Sequence, residues 1–289
     1  MKKFDIEFDL NKKLILSVTG MKLAAPAETS PLMEKRVEND LLKIKKMFEK
    51  QKKQTLNTIQ NVGFSCRLCG KCCKREEYDN SVYLLPEDIS KIETLGIRKE
   101  IFLLPLLPDL YNRDYEVILH GNIFDENKLD ELFNALAEQT DENGKIHTFG
   151  WMLQRKKDGD CIFLDSENKC LIYEQRPSLC QTYPFFMDEK GIFECECAGF
   201  DSSKKTNPEL STELLNSLLK RTLWDHEDYL LTSGVIQKMY PKKGVEDEKK
   251  EQSRTRFKRN FKDGFIRFAV YDGGGVYEVE VSLKNYNYP

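Results

Sequence analysis

Nine cysteines fall into two knots separated by a long cysteine-free stretch, and that placement limits the chain more than any other feature. Four lie within residues 66–73, five within residues 161–197, and none in the first 65 or the last 92 of the 289 residues. In a reducing compartment such clusters ligate metal more often than they pair, and an odd count suits complete disulfide pairing poorly. A cytoplasmic chain is expected, because Lys2 and Lys3 are followed by Asp5, Glu7 and Asp9 where a signal peptide would turn apolar. No membrane span is expected either. The longest nearly uncharged apolar run, residues 101–107, is interrupted by Pro105 and is far short of the roughly 20 residues a membrane helix needs.

The first knot reads Phe64-Ser65-Cys66-Arg67-Leu68-Cys69-Gly70-Lys71-Cys72-Cys73-Lys74. Two residues between cysteines let a tight turn aim both sulfurs at one ion while backbone N–H groups stay free to bond those sulfurs. Gly70 permits the left-handed geometry such turns demand. Cys66, Cys69 and Cys72 have the C-x2-C-x2-C spacing that supplies three ligands of a cubane cluster in bacterial ferredoxins, and the same spacing serves a zinc knuckle. Adjacent Cys72 and Cys73 do not both suit one small ion, so one of them is a ligand of a second site, a free thiol or packing. Arg67, Lys71, Lys74 and Arg75 surround the thiols, and their field is expected to lower thiolate pKa and offset sulfur charge; taken singly, each reads as a solvated loop cation.

The second knot runs Asp158-Gly-Asp-Cys161-Ile-Phe-Leu164, then Lys169-Cys170-Leu-Ile-Tyr173-Glu-Gln-Arg176-Pro177-Ser-Leu-Cys180-Gln-Thr-Tyr183-Pro184-Phe185, then Cys195-Glu-Cys197-Ala-Gly199. Together with Phe-x-Cys-x2-Cys-Gly-x-Cys-Cys, these motifs resemble the YkgJ-type cysteine-cluster family, whose members are described as zinc- or iron-chelating and are often called iron–sulfur proteins. The resemblance covers about residues 63–200. A related cysteine segment occurs in flagellin lysine N-methylases. Carried over position by position, the resemblance makes Cys66, Cys69, Cys72, Cys73, Cys161, Cys170, Cys180, Cys195 and Cys197 the candidate metal ligands. Eight thiolates would fill two four-cysteine sites with one spare, and a single cluster using the first knot and one distal cysteine is equally permitted. An iron–sulfur cluster, of the 4Fe-4S type, is favoured over zinc by the first-knot spacing and by the family description. The family often has Arg directly after the cysteine that precedes Tyr-Pro-Phe; Gln181 stands there. Tyr173, Tyr183, Phe185 and Phe186 read as packing around the loops. Arg176-Pro177 reads as a turn, with hydrogen bonding of Arg176 to a cluster sulfur or an anionic substrate the minority reading.

Outside the knots the pattern is that of an ordinary packed fold. At 40% hydrophobic and 11% aromatic the chain is too rich in core formers to be disordered. With 45 Lys+Arg against 48 Asp+Glu it lacks the net positive charge of a general nucleic-acid binder. Alternation of Phe4, Ile6, Phe8 and Leu10, then Leu14, Leu16 and Val18, predicts a β-hairpin, followed by a linker containing Pro26. Val37, Leu41, Ile44, Phe48, Leu56 and Ile59 predict a helix over residues 31–61 with a lysine-rich opposite face. Further elements are a short strand at 82–85, helices at 86–95, 126–139 and within 207–231, and a last hairpin turning on Asp272-Gly-Gly-Gly275. A basic run, Arg254, Arg256, Lys258, Arg259 and Lys262 with Phe257 and Phe261 interleaved, reads as the solvated face of a helix rather than an RNA surface. His120, His147 and His226 are scattered, and no nucleophile elbow, Walker loop or His-Glu-x-x-His occurs.

The expectation is an α+β protein with an irregular cysteine-rich metal-binding core, flanking helices and terminal β-hairpins that pair into one clasping sheet. Its divisions are residues 1–62 (hairpin and long amphipathic helix), 63–201 (cysteine-cluster domain, with 97–150 as an insertion) and 202–289 (helices and hairpin). The leading functional reading is a metal-binding protein with an iron–sulfur or zinc centre. One rival is a cluster-dependent enzyme, a protein lysine N-methylase or redox enzyme, although no glycine loop for S-adenosylmethionine is found. The other is a structural zinc scaffold that binds a protein partner through the first helix or the tail.

Overall fold

The computed structural model describes residues 17–26, 31–74, 82–106, 126–156, 158–188, 190–239, 247–273 and 275–282. Along the chain these form β1 (Ser17–Pro26), α1 (Pro31–Asn61), β2 (Tyr83–Leu84), α2 (Pro86–Glu93), α3 (Lys99–Phe102), β3 (Leu103–Pro105), α4 (Glu126–Leu136), β4 (Ile146–Phe149) and β5 (Trp151–Leu153). They continue as α5 (Ser178–Thr182), β6 (Phe185–Asp188), β7 (Gly191–Glu194), α6 (Pro208–Met239), α7 (Asp247–Lys262), β8 (Phe265–Asp272) and β9 (Gly275–Ser282). The architecture is α+β, with three small sheets among the described residues. Among the described residues no helix is long and apolar enough to cross a membrane.

Local chemistry sets the element boundaries. Pro31, Pro86 and Pro208 stand at the first positions of α1, α2 and α6, where the missing N–H costs nothing. The Asn207 side chain accepts from the backbone N–H groups of Glu209 (2.8 Å) and Leu210 (3.3 Å), capping α6. Gly63 and Gly96, at φ 64° and 77°, turn the chain just beyond α1 and α2.

The terminal segments share a sheet of order β1-β9-β8-β4. β8 and β9 form the expected hairpin, closing at Asp272↔Gly275, and β1 runs antiparallel to β9 from Ser17↔Ser282 to Pro26↔Gly275. The stretch read as a linker is thus a strand to its end: Pro26 is tolerated because it is the terminal residue, beyond which no ladder bond is needed. Residues 4–16 of the predicted first hairpin lie outside the described residues. β4 joins the sheet parallel to β8, and β3 pairs with β5 beside β2, so the stretch between the cysteine knots is woven into two sheets.

Two apolar clusters hold these layers. The larger contains Phe102, Leu129, Phe133, Phe163, Phe257 and Phe268. The smaller packs Phe48 and Ile59 of α1 on Leu214, Leu215 and Leu218 of α6, together with Phe64 and Phe185. Burial of each such side chain contributes about 1.5–3 kcal/mol. Phe257 and Phe261 are 1% and 2% exposed, so the aromatics of the basic run belong to the core. Arg254 and Lys258 of that run pair with Asp130, and Arg256 bonds Asn143.

Candidate metal centre

The cysteine segments contain little regular structure, and their shape comes from turns fastened to one another. The first knot passes through a positive-φ Leu68 (52°) and Gly70 (69°) into a single 3-10 turn over Lys71–Cys73. A Cβ at Gly70 would collide with the Asn168 carbonyl oxygen and lie 2.9 Å from the Asn168 Cβ, so only glycine lets the first knot approach the 165–169 turn this closely. That turn is itself closed by Asp165, whose carboxylate accepts from the N–H groups of Glu167 (2.8 Å) and Lys169 (2.7 Å), with Asn168 at φ 62°.

Backbone bonds lock the knots together. The Cys161 N–H donates to the Cys73 carbonyl (2.8 Å), Ser65 N–H to Gly199 (3.0 Å) and Asp201 N–H to Gly63 (3.2 Å). Thr206 staples the base: its hydroxyl donates to Ile59 (2.6 Å) and accepts from Phe64 N–H (2.7 Å). Gly199 N–H also donates to the Cys197 sulfur (3.3 Å), the kind of bond that tunes a metal thiolate.

α5, which carries Cys180, is fixed by a carboxylate that the sequence reading did not single out. Asp88 is fully buried; it accepts from Ser178 N–H and the Ser178 hydroxyl, each at 2.8 Å, and from Leu85 N–H at 3.3 Å. An acid at a helix N-terminus is electrostatically favoured. The available signal was Asp three residues after Leu85 and Ser directly after Arg176-Pro177.

Eight of the nine candidate thiols each feel at least one other, by contact or by charge. Cys72 and Cys73 sulfurs are 4.0 Å apart. Hydrogen bonding with Cys161 and burial push the Cys73 thiol up to about 12. Contact with Cys73 raises Cys72. Burial raises Cys170, Cys180 and Cys197, with neighbouring cysteines adding to each rise: Cys72 for Cys170; Cys73, Cys72 and Cys170 for Cys180; Cys72, Cys66 and Cys69 for Cys197. Cys195 stands apart. It follows β7, gives its N–H to Pro184 (2.8 Å), and is raised by burial alone.

The expectation that the loop cations would lower the first-knot thiolates is overturned for Cys72 and Cys73, which neighbouring sulfurs and burial raise instead. A cation whose field reaches the sulfurs is Arg176, acting on Cys72 and Cys170. Its guanidinium donates to the Tyr173 carbonyl (2.7 Å) and lies 3.9 Å over the Tyr173 ring. Gln181 donates its side-chain amide to the Arg176 carbonyl (2.7 Å), so the residue at the departure from the family pattern supports Arg176 from its backbone. Phe185 packs edge-on against Phe64 (5.4 Å) and Phe200 (5.7 Å), and Tyr183 donates to the Glu196 carbonyl (2.7 Å). Phe186 stacks on Phe193 at the surface. Arg75 and His120 fall outside the described residues. His147 bonds Tyr271 (2.8 Å) and Asp141 (3.2 Å) in the sheet, away from the thiols.

The donor set is soft, sulfur-rich and held by glycine turns, as zinc and iron–sulfur centres require. Gathered is not yet closed, however: among the described residues no three Cys, His, Asp or Glu side chains converge on one ion position. Cys66, Cys69 and Cys72 are exposed, so side-chain rotation is open to them.

Residues 65–198 match the family model CxxCxxCC, "Putative zinc- or iron-chelating domain". No curated protein and no solved structure matches the chain. The match spans the two cysteine knots and the stretch between them, and it is to the YkgJ-type cysteine-cluster family, which the sequence motifs resemble.

Proposed function

We propose that this chain is a metal-binding protein whose cysteine domain holds an iron–sulfur cluster. The observation that carries the reading is that backbone bonds fasten the two cysteine knots to each other, Cys161 N–H to the Cys73 carbonyl and Ser65 N–H to Gly199, with the Cys72 and Cys73 sulfurs 4.0 Å apart. Cys66, Cys69 and Cys72 would supply the C-x2-C-x2-C ligands. When bound, such a cluster supplies one-electron chemistry. The chain's own contribution is to fix the loops, to donate N–H to sulfur at Cys197, and to offset thiolate charge with one guanidinium. A structural zinc is the second reading, favoured by Cys161, which is 8% exposed and set within the larger apolar core, as suits a closed site.

The test is anaerobic purification of the full chain, followed by iron, zinc and acid-labile sulfide analysis on one sample. Iron and sulfide in equal amounts, with broad visible absorbance, are the expected result. Zinc without sulfide would replace the cluster by the structural ion. Neither metal, after reconstitution as well, would overturn the reading.

A further inference from the structure

α1 turns one side to the fold and a very different one to solvent. At about 100° per residue, Val37, Phe48, Thr55 and Ile59 share a side, and all four are buried. Phe48 and Ile59 belong to the apolar cluster that α6 completes. Six cations, Lys35, Arg36, Lys43, Lys46, Lys50 and Lys53, occupy the diametrically opposite side, and every one is exposed. The acids of the helix flank this stripe and none stands within it. Asp40 reaches Lys43 from the flank at 2.7 Å and leaves that side chain 77% exposed, while Glu49 is 3.7 Å from Lys52, outside the stripe. The charge is local: the chain carries a formal −3, yet residues 43–53 hold six Lys against one Glu.

Two leucines ride on the same outward side, Leu32 at 81% exposure and Leu42 at 47%. A strand of nucleic acid matches this face poorly, because base stacking needs exposed aromatics and the aromatic residue of α1, Phe48, is 2% exposed. A helical protein partner matches it poorly too. A packing seam needs apolar residues every three or four positions, and these leucines stand ten residues apart. A flat anionic surface needs neither a register nor a seam. Helices lie on bilayers by this combination, apolar side chains entering the headgroup boundary while lysine stems reach back to the lipid charges.

We propose that the outward face of α1 is a docking surface for an anionic lipid bilayer, with Leu32 and Leu42 entering the interface and the six cations meeting the headgroups. The helix lies along the bilayer rather than across it, and the metal of the cysteine domain has no part in the contact. From Leu32 to Lys53 the face offers a straight row about 32 Å long.

The test sediments the full chain with vesicles of phosphatidylcholine alone and with vesicles that also contain phosphatidylserine. Binding to the second kind only is expected, with release as salt rises from about 0.1 M to about 0.5 M. Lys46→Glu/Lys50→Glu/Lys53→Glu is expected to weaken binding at least about tenfold with the urea midpoint unchanged, because all three side chains are exposed. The same charge change at Lys204, Lys205 and Lys250, exposed elsewhere, is expected to leave binding intact. Leu32→Ser/Leu42→Ser is expected to weaken it several-fold. Sedimentation with neither vesicle or equally with both would overturn the proposal without any variant. Full binding by the α1 glutamate variant, or an equal loss in the control variant, would overturn it as well. Full binding by the serine variant would remove the leucine insertion. Tighter binding of polyuridylate than of phosphatidylserine vesicles at the same salt would overturn lipid docking in favour of nucleic acid.

Discussion

The sheet built by the two ends of the chain and the cysteine domain it adjoins are held by different physics. In the sheet, β8 carries Ile266, Phe268 and Val270 at 3%, 1% and 0% exposure, in register with β9 throughout, and from Phe268 to Asp272 both its faces are buried; that burial explains its order. Between residues 158 and 184 there is no described strand, only short helical turns and isolated bridges. Order there comes from Asx turns, glycines at positive φ and backbone bonds between distant loops, each of modest worth, added to the burial of Ile162, Phe163, Leu164 and Ile172 in the larger cluster. A region of the first kind is complete when it folds, whereas one of the second kind has thiols still to satisfy, and metal ligation there is folding energy.

The sharpest way to break the comparison is to damage each region and ask whether the damage spreads. Phe268→Ala removes a ring at the centre of the larger cluster and is expected to cost about 3–5 kcal/mol. Urea unfolding followed by far-UV circular dichroism should show the loss equally with and without bound metal. Metal restoring the midpoint would mean that the sheet depends on the cysteine domain. Gly70→Ala is the matching lesion on the other side. It puts a Cβ into Asn168 at a φ of 69°, with strain and overlap together costing about 3 kcal/mol. Hydrogen exchange should rise around residues 64–74 and 161–171 while the β8–β9 amides keep their protection; uniform loss of protection would show that the regions unfold as one.

The two regions also differed in how much of them the sequence made legible. Period two over 265–281 and the three- and four-residue spacing of Val37, Leu41, Ile44 and Phe48 translate directly into β8, β9 and α1, because amphipathic periodicity reports burial of one face. The cysteine knots announced their chemistry through spacing but not their geometry. Nothing in the local pattern tells that Asp88 holds α5 from 90 residues away, that Thr206 staples the first knot, or that Cys195 stands apart from the thiol closest to it in the chain, Cys197. These are long-range polar contacts, which have no period. The interleaved Phe257 and Phe261 misled in the opposite sense: four residues apart, they fit a core stripe as well as a stacking surface, and the core took both.

A finer distinction is available where the sheet meets α6. The Asp228 carboxylate accepts from Gly273 N–H at 3.0 Å, in the turn between β8 and β9. Burial, followed by repulsion from Asp272, Asp225 and Glu87, pushes it up to about 6 from an ordinary 3.8, although the Gly273 bond opposes the rise. A carboxylate raised on folding takes up a proton as the chain folds. Its contribution is full below about pH 4 and is lost as pH climbs through about 6. Asp228→Asn keeps an oxygen for Gly273 but removes the charge, so the variant is expected to gain on the order of 2 kcal/mol near neutrality. Urea midpoints taken from about pH 4 to about pH 7 should fall in the unaltered chain relative to Asp228→Asn, with the gap opening above about pH 4 and reaching full size near pH 6. Because Asp228 is tied to the hairpin and not to the thiols, that gap should have the same size with and without metal. A gap that closes on metal binding would mean that the hairpin turn and the cysteine domain share one stability, and the contrast between the two regions would then be one of appearance only.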